Sequence, residues 1–437
     1  MKDLFKKSAV LCLAACLVIM TAACGGTETG SDESGETPVV TLNVWHQWAS
    51  ATDVLKKQYN EIVSEYEEEN PGIRINTMTL DTEAYKAKIP SEFAGDASDI
   101  DIFFFWANKA AERFIKSGKL LPLDDYLPEG LTDKLTDGSL NNFTYDGKIY
   151  ALPMYSWCLV LFCNKTVFEE AGAKLPETYT ELLEAVQKIK AIGKIPIASG
   201  ARDSWNAALI YQALAMREVG AENVNAMLKG NAAFGSDPGY YDAAAKVKEL
   251  YEAGAFGDAP LDESNDDGNN EFITGRAAMR LTGSWYLNTL YYNGQTESGF
   301  SLDTITAIPV PMIEGKGDSS DYCGGFVDGF FVNKNTVHKQ EAVDFVAYLS
   351  EKMGNNTYEG KNGFSAWKTA PSQTGTFPLA FKVWALMKNG KTGVLAWDTA
   401  LPSAAAQVHN EETQSLFTAD ANLDDFIAKQ KAAIDSS

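Results

Sequence analysis

The chain has 437 residues and a formal net charge of −22, enough length for two domains or one large one. Such acidity excludes a nucleic-acid binder and a protein held on anionic lipid by basic residues. Of six cysteines only Cys158, Cys163 and Cys323 lie beyond residue 24, which excludes a disulfide-stapled scaffold and leaves no Cys/His cluster for zinc.

The first residues read as an export leader. Lys2, Lys6 and Lys7 precede an almost wholly apolar run, Ala9 to Ala23, that Cys24-Gly25-Gly26 cuts off. The run is too short to span a bilayer core, which takes about 20 apolar residues. Thr21-Ala22-Ala23-Cys24 resembles the bacterial lipoprotein cleavage motif, in which small residues precede the lipidated cysteine. Leu13-Ala14-Ala15-Cys16 is a second match upstream, but cleavage there would leave an apolar mature end, so Cys24 is the expected lipidation site. Residues 25–38, GGTETGSDESGETP, hold no aliphatic or aromatic side chain and predict a flexible tether.

From Val39 strand and helix patterns alternate. VVTLNVW (39–45) predicts a strand, and residues 52–69 a helix with Val54, Leu55, Tyr59, Ile62, Val63 and Tyr66 on one stripe. Ser50 and Asp53 have capping-box spacing, and Asn70-Pro71-Gly72 stops that helix. Residues 73–78 and DIDIFFFW (99–106) predict two more strands, the second buried on both faces. Between them Tyr85, Ile89 and Phe93 keep helical spacing, with Pro90 expected to kink or interrupt it. Further strands are expected at 159–163, 195–199, 277–281, 304–310 and 325–332. Helices are expected at 179–191, 205–218, 240–253, 339–350 and 424–434, with a solvated acidic loop at 261–270. The order is that of an α/β fold with largely parallel strands. Cys158 and Cys163, five apart, should face opposite sides of a strand as buried free thiols.

Several stretches carry a family resemblance in a fixed order. EFAGDASDIDIF (92–103), SGKLLPLDDYL (117–127), the long segment DGKIYALPMYSWCLVLFCNKTVFEEAGAKLPETYTELLEAVQKIK (146–190), FITGRAAMRLTGSW (272–285) and CGGFVDGFFVNKNTVHKQEAVDFVAYLSE (323–351) together cover the chain from about residue 40 to its end. They resemble the family 1 extracellular solute-binding proteins of ABC importers, which include maltodextrin- and oligosaccharide-binding proteins. The resemblance implies two α/β lobes, each a mostly parallel sheet flanked by helices and each built from two chain segments, with ligand between them. It places the first crossing near Tyr155–Cys158 and the second near Thr282–Trp285. One lobe would then be 39–157 plus 284–352, and the other 158–283 plus 353–437.

Tryptophans concentrate where strands end: Trp45 and Trp48 at the first, Trp106 at the third, Trp157 and Trp285 at the implied crossings, and Trp205 following a strand through SGARDSW (199–205). Ligand sites in open parallel sheets lie beyond the carboxyl ends of strands. An aromatic face suits the C–H face of a sugar ring, and sugar hydroxyls need polar partners such as Asp, Asn, Gln or Arg. The expected ligand-binding set is Trp45, His46, Gln47, Trp106, Asn108, Trp157, Trp205, Trp285, Gly325 (where a ligand can approach bare backbone) and Asp398, with Arg202 and Asp203 as weaker candidates. Trp384, inside FKVWALM (381–387), is expected in a core. The acidic loop imitates half of a calcium loop but has Thr274 at the twelfth position, so no metal and no cofactor is expected. The pairs Tyr240-Tyr241 and Tyr291-Tyr292 are expected to pack on helix faces.

No nucleophile elbow, metalloprotease helix or phosphate loop appears, and only His46, His338 and His409 are available as imidazoles. The expectation is a monomeric, non-enzymatic receptor on the outer face of a bacterial cytoplasmic membrane, anchored through its lipid. It would carry a carbohydrate, an oligosaccharide given the spread of aromatics, to an ABC permease, with no nucleic-acid partner. A lipid-anchored glycosidase, which needs only two opposed carboxylates, and a receptor for a polyamine or metal remain as alternatives.

Overall fold

The structure, a computed structural model, describes residues 39–51, 53–296, 300–356, 364–368 and 378–436. The leader, Cys24 and the tether lie outside the described residues. The described chain builds a two-lobed α/β fold on two mixed sheets. In the first sheet the order is Ile73–Thr79, Val40–His46, Ile102–Trp106, Asp328–Val332, Ala151–Pro153. The three strands that come first in sequence run parallel. The last two pair antiparallel, Asp328 opposite Trp106 and Gly329 opposite Pro153. Phe103 and Phe104 are buried on opposite faces of the central strand, as its unbroken apolar run requires. The helix Val54–Glu69 starts at Asp53, whose carboxylate accepts from the Leu55 N–H at 2.9 Å, and turns Tyr59, Ile62 and Tyr66 onto the sheet. Pro90 does not interrupt its helix, which runs from Thr82 to Ala94. Tyr85, Ile89 and Phe93 are all buried and straddle the proline, so packing holds the turn that Pro90 cannot hydrogen-bond.

The second sheet is ordered Gly393–Val394, Tyr322–Phe326, Tyr155–Asn164, Ala277–Gly283, Ile195–Ala198. Its axis is the ten-residue strand Tyr155–Asn164, buried throughout. Four other strands pair with that axis, all antiparallel, so the expectation of mostly parallel sheets is corrected. The later chain segments return alongside the axis in the opposite direction. Alternation along the axis sends Cys158 into one apolar cluster and Cys163 into another, both as buried free thiols. Among the helices flanking this sheet, Tyr179–Ala191 opens with a full capping box between Thr178 and Glu181, and Ser204–Val219 is buried along nearly its whole length.

Tyr155 packs with the first core and Trp157 with the second, so the chain passes between them within three residues. The next passage is not at Thr282–Trp285. After Gly283 and Ser284 the chain turns into the helix Tyr286–Thr296, whose Tyr286, Leu287 and Leu290 cover Cys158, Val160 and Phe162 of the same sheet. The strand Ile305–Ile308 then pairs with the axis strand, and only at Asp328 does the chain join the first sheet again. Trp367 still packs in the first core, whereas Leu379 and Val383 pack against Cys158 and Val160 on the other face of the second sheet. The strands at these passages lie side by side: Gly325 pairs with Trp157, Phe326 and Phe364 with Ser156, and Ser365 with Tyr155. Trp384 is half-buried and stacks on Phe364 at 5.9 Å, outside the core expected for it.

Candidate functional site

A cavity of about 570 Å³ is lined from both cores. From the first core come Gln47, Asp53, Lys86, Trp106 and Asp328, and from the second Trp157, Trp205, Asn265, Trp285, Asn288 and Asp398. Trp106 closes its strand, held edge-on by Phe104 at 5.3 Å and Phe105 at 5.4 Å, with the Lys86 Nζ 5.1 Å from its centroid. Opposite, Trp285 meets Trp157 at 5.0 Å and Trp205 at 6.0 Å, both edge to face. Two details fix that ring. The Ser284 Oγ accepts from the Cys158 N–H at 3.2 Å, and the Ser284 N–H donates to the Cys158 carbonyl at 2.8 Å. Gly283 leaves the space the Trp285 ring fills; a methyl group there would overlap it.

The polar lining is mostly carboxamide. Residues 265–273, of which 265–270 were expected in a solvated loop, form a helix opened by a capping box between Ser264 and Asp267. Asn265, Asp266, Asn269 and Asn270 of this helix line the cavity. Behind them lies Arg280, fully buried. Its guanidinium donates to the carbonyls of Ala198 (2.9 Å) and Ser199 (2.7 Å) and to Asn265 Oδ1 (2.8 Å), Asn206 Oδ1 (3.4 Å) and Asn269 Oδ1 (3.4 Å). One cation thus fixes two lining carboxamides to the sheet. Asn288 differs: it is 2% exposed, lines the cavity, and neither its Oδ1 nor its Nδ2 has a hydrogen-bond partner. Gln47 Oε1 is likewise unpartnered. Such groups are rare because each costs free energy until a partner arrives.

Charged groups from the two cores meet at the cavity rim. The Lys86 ammonium lies 2.9 Å from Asp398 and 3.7 Å from Glu83, while the Ser204 Oγ donates to Glu83 at 3.4 Å. Burial works against the Lys86 charge, but Asp398 and Glu83 outweigh it and hold its pKa above the ordinary lysine value. Burial raises the Asp53 carboxyl to about 6, helped by the Asp266 charge, and burial with Asp398 nearby raises Asp328 to about 7.

Six of the residues picked from sequence come together on this lining: Gln47, Trp106, Trp157, Trp205, Trp285 and Asp398. Four do not line it. Trp45 is 6% exposed and packs in the first core, on a strand whose face is set by its pairing with Phe103. His46 is fully buried between Trp48 (4.8 Å) and Tyr59 (4.4 Å). Its Nδ1 accepts from the Trp48 N–H at 3.2 Å, and burial lowers its pKa to about 3. Asn108 starts a helix at φ 66° and offers its carbonyl to the Tyr145 hydroxyl at 2.7 Å. Gly325 pairs with Trp157, with Leu395 occupying the space over it. Arg202 points outward, and Asp203 accepts from the Asn265 N–H at 2.7 Å. The sequence reading missed Asp53, Lys86, Asp328, Asn288 and the 265–273 helix. For that helix the Ser264/Asp267 spacing was the available signal. No group of three or more His, Cys, Asp or Glu fit to hold a metal occurs among the described residues, nor is any described helix long and apolar enough to cross a membrane.

Residues 51–356 match the family model of the bacterial extracellular solute-binding proteins. The chain is 24% identical over 364 residues to the multiple sugar-binding protein of Streptococcus mutans serotype c, covering 82% of each. A solved structure from work on xylan utilization by the thermophilic bacterium Caldanaerobius polysaccharolyticus is 32% identical, with a TM-score of 0.84 over 90% of this chain and 99% of that one. A chitin oligosaccharide binding protein is 25% identical, with a TM-score of 0.81 over 91% of this chain and 98% of its own.

Proposed function

The chain belongs to the bacterial extracellular solute-binding protein family, and from that premise we propose that it is the lipid-anchored receptor of an ABC importer. It captures an oligosaccharide in the cavity and delivers it to a membrane permease. The observation that carries the ligand class is the unpartnered, buried carboxamide of Asn288 on the same lining as the Trp157–Trp205–Trp285 cluster. A carboxamide offers both donors and an acceptor, and a sugar hydroxyl answers both. An ammonium group answers only the acceptor, which disfavours a polyamine. The tryptophans provide faces and edges for ring C–H groups, and the volume of about 570 Å³ suits a small-molecule site. Relatives named for multiple sugars and for chitin oligosaccharides agree with this class. Anchoring rests on the leader and Cys24, and a monomeric receptor that binds without turnover needs no catalytic group.

The test is a thermal-shift and calorimetric screen of the mature chain over mono- and oligosaccharides, polyamines and divalent metals. Saturable binding of an intact oligosaccharide is expected. Release of hydrolysed sugar overturns the receptor reading, and stabilisation by polyamines or metals alone overturns the sugar. Labelling of Cys24 by radioactive palmitate, lost in Cys24→Ala, checks the anchor.

A further inference from the structure

The ionisable acids and bases that line the cavity are four carboxyl groups, Asp53, Asp266, Asp328 (the one that most readily keeps its proton) and Asp398, and one ammonium, Lys86. That ammonium is already committed: Asp398 holds it at 2.9 Å and Glu83 at 3.7 Å, and the Trp106 face lies under it. Asp53 and Asp266 come from opposite cores, one at the start of the helix Val54–Glu69 and the other in the first turn of Asn265–Ile273. Neither forms a salt bridge among the described residues, and Asp53 feels both the Asp266 charge and the opposing charge of Lys56, whose ammonium is held by the Ala49 carbonyl. The cavity therefore carries a surplus of negative charge. Asn288, 2% exposed and with both polar atoms unpartnered, adds a buried donor and acceptor to the same lining.

We propose that Asp53 and Asp266 make the cavity a charge filter, which takes neutral and amino-bearing oligosaccharides and rejects those bearing a carboxylate. The inference rests on the sugar-receptor reading and narrows its substrate class. A ligand carboxylate would meet the buried Asp53 and the exposed Asp266, with no free cation among the described lining residues to receive it. A neutral hydroxyl meets the same oxygens as acceptors, and an ammonium meets them as counter-charges.

The test uses one neutral oligosaccharide that binds in the screen, converted at its reducing end into three open-chain probes: the alditol, the aldonate and the 1-amino-alditol. They differ in charge and little else. Calorimetry on the mature chain should place the aldonate at least tenfold weaker than the alditol, about 1.4 kcal/mol, and the amine no weaker than the alditol. In the double variant Asp53→Asn, Asp266→Asn the aldonate-to-alditol ratio should shrink below threefold. Asparagine caps a helix as well as aspartate, and Asp266 is exposed, so the variant retains its fold. An aldonate that binds as well as the alditol, an amine that binds worse, or an unchanged ratio in the variant overturns the filter. Failure of every neutral sugar in the screen overturns instead the reading on which it rests.

Discussion

Replacing Asn288 by leucine sets stability and binding in opposition. The side chain is 2% exposed and both its polar atoms lack partners. Leaving such a group unpaired costs about 1–3 kcal/mol, reduced here because water can enter the cavity. Leucine has the same branching and number of side-chain heavy atoms, its extra bulk can extend into the cavity, and it adjoins Leu287, in the cluster with Cys158 and Val160. The ligand-free variant should therefore be more stable than the parent by about 1 kcal/mol, a rise in Tm of about 1–3 °C. Oligosaccharide affinity should fall at least tenfold, because the hydroxyl that met the carboxamide would be buried unpaired. Differential scanning calorimetry without ligand and isothermal titration with the best oligosaccharide read the two effects separately. A Tm lowered by several degrees with unchanged affinity would refute the reasoning and make Asn288 a structural residue.

Three further outcomes follow from the site. Trp285→Ala should weaken binding at least a hundredfold and cost about 2 kcal/mol of stability, since its half-buried ring also braces Trp157 and Trp205; urea melts and titration calorimetry check both. Arg280→Met strips the donor from two carbonyls and from Asn265, and should cost about 3 kcal/mol or more while also lowering affinity. Arg280→Lys should recover part of each, and equal melts for parent and Met variant would dismiss the buttress. Asp328 is raised to about 7, so the folded chain holds a proton there that the unfolded chain, titrating near 3.9, releases. Its contribution to stability therefore falls as pH rises from about 4 to about 7. The advantage of Asp328→Asn over the parent should grow across that window, by no more than about 4 kcal/mol, in urea melts at pH 4 and pH 8. A constant gap would count against it.

The strand and helix order was legible because periodicity is a local property: the unbroken IFFFW run could only be a doubly buried strand. Trp106, Trp205 and Trp285 were legible as cavity residues because they stand at element ends, where a large ring is only partly taken up by core; Trp157, 3% exposed inside its strand, both packs in the second core and lines the cavity. Trp45 and His46 come two residues and one residue before Gln47, the first of this stretch to line the cavity. The strand runs to His46 and Trp48 folds back over it, so the imidazole is enclosed in the core while Trp48 itself lines the cavity. Asn288 gave no signal, since one Asn in YLNTLYYN is unremarkable until the burial of its helix is known. Composition misled at 261–270, where acidic and amide residues look like solvated loop although a capping box was written among them. Gly283-Ser284 looked like an exit from the sheet; only tertiary contacts show the following helix folding back onto that same sheet.

The passages between the cores form a ribbon, because Tyr155, Ser156 and Trp157 are each hydrogen-bond neighbours of a residue on a returning strand. Any motion of one core against the other must flex these strands together, rung by rung, where separate loops could each swivel alone. Such a joint resists shear and twist and yields mainly to bending. Trp157 is at once a rung of that ribbon and a wall of the cavity. Pressure on its indole is thereby pressure on the joint, and the amides of Ser156 to Cys158 should report occupancy through their rate of hydrogen exchange.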